Sequence, residues 1–276
     1  MKRLVLFALL TGIIMFAASC QDPEDVTISK YFAALKHGEQ GDRDTMNSMS
    51  VDAKYIQFKD FEIIKTDPIR ELDLQLPLLE NKEKELTDAR KEQSKKAQEA
   101  NDTLEDIKYE LEGVARGAKR KELEAQLAEA EALKKTEEDV YRQFTVQIGH
   151  IKKMIEFEKN LIKMSTQVSE NYDFYAGKVQ FVDVTVKVTA EDGSVSDYVF
   201  VLTKYDLTLE GKPLARSRYI ILKILPASEM ATTETPEAYY QKVLAGKADI
   251  APVETPEDTP TEEEAVTETP VETPAE

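Results

Sequence analysis

Between residues 69 and about 170, two interleaved seven-residue series of apolar side chains run along the chain. They break once, at Gly113-Val114-Ala115-Arg116-Gly117. Before the break one series holds Leu79, Leu86, Ala100, Ile107 and Val114, and its companion holds Leu76, Ala97, Leu104 and Leu111. After it, Leu123, Ala130, Phe144 and Ile151 form one series, and Leu127, Tyr141, Ile148, Ile155 and Ile162 the other. Such spacing places two seams on one face of a helix, the a and d positions of a heptad repeat. Two glycines four residues apart in a charged helical stretch signal a turn. Leu111 ends the apolar pattern before it and Leu123 resumes the pattern after it, so a fold-back pairs the two seams. The reading is an antiparallel coiled-coil hairpin whose first arm projects on the order of 65 Å at ~1.5 Å per residue. Two glycines cost a helix only about 2 kcal/mol, so one continuous helix pairing between chains is the alternative. Glu83, Arg90 and Gln93 interrupt the first seam, while Tyr141, Phe144, Ile148, Ile151 and Ile155 thicken the second toward its base. Pro68 precedes the arm, and Pro77 either kinks it or marks its true start.

The flanking segments have other periods. Ile28, Tyr31, Phe32 and Leu35 form one apolar stripe, predicting a helix from about Val26 to Gly38. A second short helix starts near Asp42 with Met46 and Met49, and Lys54 to Lys65 reads as a strand. The second arm ends near Asn171, and from Gly177 the period becomes two. Val182, Val184, Val186 and Val188 alternate with Asp183, Thr185, Lys187 and Thr189, predicting one buried and one wet face. Asp192-Gly193 is a two-residue hairpin turn. Val195 to Leu209 returns, with Tyr198 to Leu202 covered on both faces. Glu210 to Pro213 turns again, and Leu214 to Leu225 is the last strand, stopped by Pro226. A short helix follows at Pro236 to Leu244. Beyond it Glu-Thr-Pro recurs in a segment too acidic and too poor in large apolar residues to fold.

This order predicts an α+β fold in which a hairpin interrupts helices packed on a curved antiparallel sheet. The run Ile28-Ser29-Lys30-Tyr31-Phe32-Ala33-Ala34-Leu35-Lys36-His37-Gly38 resembles the opening helix of small NTF2-like (cystatin-like) lipoproteins. That resemblance covers residues 26–66 and 172–226 and implies a cone-shaped sheet wrapped around a long helix. It carries over no functional residue, because that fold serves many functions.

The chain begins with a basic Met1-Lys2-Arg3, then an uncharged run from Leu4 to Ala18, then Ala17-Ala18-Ser19-Cys20. This is the pattern of a secretory signal peptide. The run is about fifteen residues, short of the roughly 20 that span a bilayer. Cys20, the single cysteine of the chain, resembles the lipobox cysteine of bacterial lipoproteins, with Ala17 where that family prefers Leu. The resemblance implies cleavage before Cys20, a diacylglyceryl thioether on its sulfur and usually an acyl chain on its amine, with chains such as palmitate, and membrane anchoring. Gln21 in place of Asp after the cysteine implies outer-membrane delivery if the cell is Gram-negative, with the body facing the periplasm or cell exterior. An acylated Cys20 leaves no disulfide within the chain.

The expected organisation is a signal peptide (1–19), a lipidated linker (20–25), a globular domain (26–66 and 172–226), the coiled-coil hairpin insertion (67–171), a linker with a short helix (227–250), and a disordered tail (251–276).

Formal charge is -17, or -19 once Lys2 and Arg3 leave with the signal. The tail supplies nine acidic residues and no basic one. Such a surface repels nucleic acid, so no nucleic-acid role is expected. The two histidines, His37 and His150, have no Cys or second His at ligand spacing, so no metal is expected. Glu83-Lys84-Glu85 and Lys119-Arg120-Lys121-Glu122 read as solvated helix faces. No nucleophile elbow, phosphate loop or calcium loop occurs, and neither a catalytic residue nor a cofactor is assigned. Tyr172, Phe174, Tyr175 and Phe181 form the densest aromatic group. They read as core where the arm meets the sheet, or as a ligand pocket there.

The expected role is that of a non-enzymatic envelope lipoprotein whose hairpin scaffolds or binds an envelope protein or wall partner, with self-association through the coiled coil also open. The alternative is an NTF2-like ligand-binding or catalytic domain, with the hairpin as lid or oligomerisation element. A periplasmic efflux adaptor also carries a helical hairpin on a β domain, but there two matched β halves flank it, and here only one strand precedes it.

Overall fold

The computed structural model describes residues 22–37, 40–214 and 216–246. Cys20, residues 1–19 expected as a signal peptide, and residues 251–276 expected as a disordered tail lie outside the described residues. The elements in order are helix α1 (Pro23–His37), α2 (Gln40–Met49), strands β1 (Asp60–Thr66) and β2 (Arg70–Asp73), and helices α3 (Leu76–Glu112) and α4 (Ala118–Thr166). A 3-10 turn (Tyr172–Phe174) leads into β3 (Tyr175–Thr189), β4 (Val195–Leu209), β5 (Lys212–Pro213) and β6 (Ile220–Pro226). The short α5 (Ala227–Met230) and α6 (Pro236–Leu244) close the described chain. No helix among the described residues is long and apolar enough to cross a membrane.

The sheet is antiparallel throughout and curls into a half-barrel. Its centre is the β3–β4 hairpin, paired without a slip from Tyr175↔Leu209 to Thr189↔Val195 around the Asp192-Gly193 turn, where Gly193 has φ +84°. Two strands share the outer edge of β3: β1 pairs with its second half and β2 with Lys178 to Phe181. Likewise β6 and β5 share the outer edge of β4. Bulges lie between Ile63 and Lys65 and between Val201 and Leu202, and bulges raise local twist and bend.

Both faces of the sheet are covered. Even-numbered residues of β3 and β4 (Val182, Val184, Val186, Val188, Phe200, Leu202) bury against α1 and α2 through Ile28, Tyr31, Phe32, Leu35, Met46 and Met49. Phe32 is stacked on Phe61 at 4.2 Å between ring centroids and meets Phe58 and Phe200 edge-on or tilted. Odd-numbered residues (Val179, Phe181, Tyr205, Leu207) bury against the roots of α3 and α4 and against α6. The period of two therefore directs alternate side chains into two separate cores.

Several predicted boundaries move, each for a visible reason. The strand expected from Lys54 joins the ladder only at Asp60, because the preceding segment crosses α1 instead. There the Tyr31 hydroxyl donates to the Lys54 carbonyl at 2.5 Å and accepts from the Lys54 N–H at 2.8 Å. The insertion expected at 67–171 is shorter. Residues Arg70–Asp73 are strand β2, and α3 starts at Leu76 with Pro77 in its first turn, where its missing N–H costs no intrahelical bond. The second arm stops at Thr166, where Gln167 adopts a left-handed cap with φ 68°. The last strand is confined to Ile220–Pro226. Asp183 was expected on a wet face, yet it is buried, because the roots of the long helices and α6 cover that face. The stretch expected as a linker, 227–250, contains α6 at its predicted bounds, but Tyr240 and Val243 are core residues.

A rod of two helices and its buried polar root

The two long helices turn back on one another at Gly113 to Gly117. Gly117 has φ +119° with open space around its Cα, a conformation that glycine adopts without strain. Their direction is antiparallel, as pairs across them show: Lys159–Glu80 at 2.9 Å and Lys152–Glu83 at 3.6 Å, then Gln93 with Glu137. Leu79, Leu86, Ala100 and Leu104 of the first arm are buried, as are Leu123, Ala130, Ile148, Ile151, Ile155 and Ile162 of the second. Tyr141 departs from the expectation and is 38% exposed. Leu86 and Ile148 are the outermost residues of the core shared with the sheet. From Leu86 to Glu112 the helices continue for about 40 Å at ~1.5 Å per residue.

Polar residues occupy seam positions at two levels. Gln93 lies in the first series between Leu86 and Ala100, is buried, and its Nε2 donates to the Glu137 carbonyl at 3.0 Å and to the Glu137 carboxylate. Glu137 and Glu158 both belong to the series of Leu123, Ala130, Phe144 and Ile151. Glu158 is therefore aimed into the root by the same periodicity that buries its apolar partners, and it is fully buried. The Tyr240 hydroxyl of α6 donates to its Oε2 at 2.5 Å. The Tyr205 hydroxyl of β4 feels the same carboxylate but makes no hydrogen bond, and Glu158 Oε1 also has none. Burial away from any cation pushes the Glu158 carboxyl up to about 7, against the lowering effect of the two tyrosines. Burial and the neighbouring carboxylate raise the Tyr205 and Tyr240 phenols well above their ordinary range.

A second polar group ties α6 to the sheet. Arg70 of β2 donates to Asp183 through Nη1 at 2.7 Å and Nη2 at 3.2 Å, and to Glu237 of α6 through Nε at 2.5 Å. The hydrogen bonds to Asp183, then Glu237, hold the guanidinium protonated well above its usual range. Thr235 caps α6, its hydroxyl accepting from the Ala238 N–H at 3.3 Å.

The remaining expected residues are placed as follows. His37 lies in the last turn of α1 beside Lys36, where a cation suits the helix dipole. His150 sits 3.4 Å from the Tyr239 hydroxyl, and burial, then Lys153, lower its pKa. Of the aromatic group, Phe181 is core, Tyr172 and Tyr175 pack against that core, and Phe174 is 68% exposed. A groove of about 410 Å3 beside them is lined by Thr166 to Asn171, Tyr175, Leu214 and Arg216. Among the described residues no cluster of His, Cys, Asp and Glu could hold a metal ion. The Glu158–Tyr205–Tyr240 and Arg70–Asp183–Glu237 groups were not singled out from the sequence. Glu158 could have been found as a carboxylate seven residues after Ile151 on an apolar series. No family profile, curated protein or solved structure matches the chain.

Proposed function

We propose that this chain is a membrane-anchored lipoprotein of the cell envelope, acylated at Cys20, with a non-catalytic scaffolding or partner-binding role. The two long helices act as a coiled-coil hairpin, and the helices packed on the curled sheet form an NTF2-like body from which it projects. The observation that carries the reading is the pair of helices. Past Leu86 and Ile148, their buried residues (Gln93, Ala100, Leu104, Leu123, Ala130) face one another across the pair, so about 40 Å of rod presents its outer surface to a partner. The rings of Tyr31, Phe32, Phe58, Phe61 and Phe200 pack together between α1 and the sheet, which favours the rod over the body's interior as the part that engages a partner. The anchor rests on the basic start, the uncharged run and the position of Cys20. One acyl chain holds a membrane marginally, while two or more hold it firmly. The body then faces the periplasm or cell exterior, on the outer membrane if the cell is Gram-negative.

The test has two readouts in cells. Metabolic labelling with an alkyne fatty acid should mark the native chain in the membrane fraction, and Cys20→Ser should be unlabelled and released; a labelled Cys20→Ser, or an unlabelled soluble native chain, contradicts the anchor. A photo-crosslinking residue at Tyr109, 80% exposed near the rod's tip, should give a discrete adduct that one at Val195 does not. Identical patterns from both positions contradict a partner on the rod.

A further inference from the structure

Helix α6 is nine residues long, too short to persist alone in water, and within the described chain it follows every other element. Its seat is the root of the rod, where Tyr240 and Val243 are buried against α3, α4 and the sheet. Beside it a groove of about 330 Å3 runs between Met154, Phe157 and Leu222 on one side and Pro236 and Tyr239 on the other. Polar contacts hold the helix down, among them Glu237 to Arg70, Tyr239 to His150, and Tyr240 to Glu158. The first two are partly exposed, whereas the third closes on a fully buried carboxyl with an unpartnered oxygen.

Only tyrosines face that carboxyl. Tyr205 comes from β4 and Tyr240 from α6. Charges on the packed elements are paired elsewhere: Glu80 of α3 with Lys159 of α4, and Glu237 of α6 with Arg70 of β2. His150, two turns along α4, has its pKa lowered by burial and then by Lys153. A protonated Glu158 keeps Tyr240's donated bond and gains an O–H to offer the unpartnered Tyr205 oxygen. An ionised Glu158 is a buried charge with two tyrosine hydroxyls beside it, only that of Tyr240 in hydrogen-bond geometry, and no cation, which a hydrophobic site disfavours strongly. Moving α6 away opens a route to water for it, and among the described residues α6 is joined to the rest by a single connection, from α5.

We infer that α6 is a clasp on the rod's root, closed while Glu158 carries its proton and released when Glu158 loses it, uncovering the apolar strip of Met154, Phe157 and Leu222. The proton goes to solvent, and the carboxylate gains hydration in the open form. With the closed form titrating at about 7 and the open form at its ordinary 4.5, the open-to-closed ratio rises on the order of 70-fold between pH 5 and pH 8.

Amide hydrogen exchange on the full chain, corrected for intrinsic rates, reads this directly. Protection at residues 239–244 should fall on the order of 70-fold from pH 5 to pH 8, while β3 amides at residues 182–186 stay protected. Glu158→Gln keeps the shape and removes the carboxyl titration, so the fall in α6 protection toward pH 8 should be absent, leaving only the opposite slope of His150, whose lowered pKa disfavours the closed form at acid pH. Tyr240→Phe removes the one donor to the carboxylate, so protection should go on falling to higher pH than in the native chain. A flat native profile overturns the clasp, as does a fall toward pH 8 that survives in Glu158→Gln, or loss of β3 protection in step with α6. A Tyr240→Phe effect equal at every pH overturns it as well, since that is what simple packing would give.

Discussion

Replacing Arg70 with Ala should destabilise the protein far more than removing a surface cation. Arg70 is about one-third exposed, but the carboxylates it binds are not: the side chain of Asp183 is 7% exposed and that of Glu237 19%. An exposed ion pair contributes about 0–1 kcal/mol, while breaking a buried pair costs roughly 3–5 kcal/mol because a charge is left without a partner. Arg70 stands between these limits. Discounting for its contact with solvent leaves about 2–3 kcal/mol, most of it the isolation of Asp183. Urea unfolding followed by circular dichroism would measure it as a lowered midpoint at unchanged slope. Arg70→Lys should recover only part, since an ammonium cannot reproduce the two-pronged contact with Asp183 while also reaching Glu237. Arg70→Ala combined with Asp183→Asn should lose less than Arg70→Ala alone, because the orphaned charge is gone. A loss below about 0.5 kcal/mol for Arg70→Ala, the size of a surface substitution, would refute the reasoning, and so would a double variant no better than the single one.

Three further substitutions probe the body and the rod. Gly177→Ala puts a Cβ 2.2 Å from the Asp206 carbonyl oxygen at a backbone φ of +151°, so the β3–β4 pairing must shift; a loss of about 2 kcal/mol or more is expected in thermal unfolding. Phe32→Ala empties a site enclosed by Phe58, Phe61 and Phe200 and should cost about 3–5 kcal/mol by the same urea assay. Gln93→Leu replaces a buried amide in an apolar seam, and the Glu137 side chain it bonds is only half-buried. The melting temperature should stay level or rise, by a change within about 1 kcal/mol; a clear drop would mean that Gln93 contributes more than register.

How much was legible in the sequence varies by element. The two long helices with the glycine break between them, the Asp192-Gly193 hairpin and the bounds of α6 were legible because each rests on a local rule: helical apolar spacing, a left-handed turn residue, a Thr-Pro helix start. Strand β2 was not. It has four residues, Arg-Glu-Leu-Asp, and only Arg70 and Leu72 face the core, so no apolar alternation marks it. Asp183 was placed with its wet neighbours Thr185 and Lys187 because alternation says which residues share a face and cannot say what later covers part of that face. Its partner Arg70 lies 113 residues upstream, and the second carboxylate on that guanidinium, Glu237, lies 54 residues downstream of Asp183, separations no local pattern carries. Glu158 was masked by the charge density of a 49-residue helix, in which one more carboxylate looks like solvated surface unless the seven-residue series is followed past Ile151.

The most direct test of the fold-back is the mass and shape of residues 21–250, without Cys20, by light scattering coupled to small-angle X-ray scattering. The helix α4 alone has 49 residues, about 75 Å at ~1.5 Å per residue. The account predicts a monomer, elongated, with a maximum dimension near that of α4 plus the sheet, on the order of 90 Å. A dimer of markedly longer reach would contradict it, because the seams would then pair between chains and the turn at Gly113 to Gly117 would not close within one.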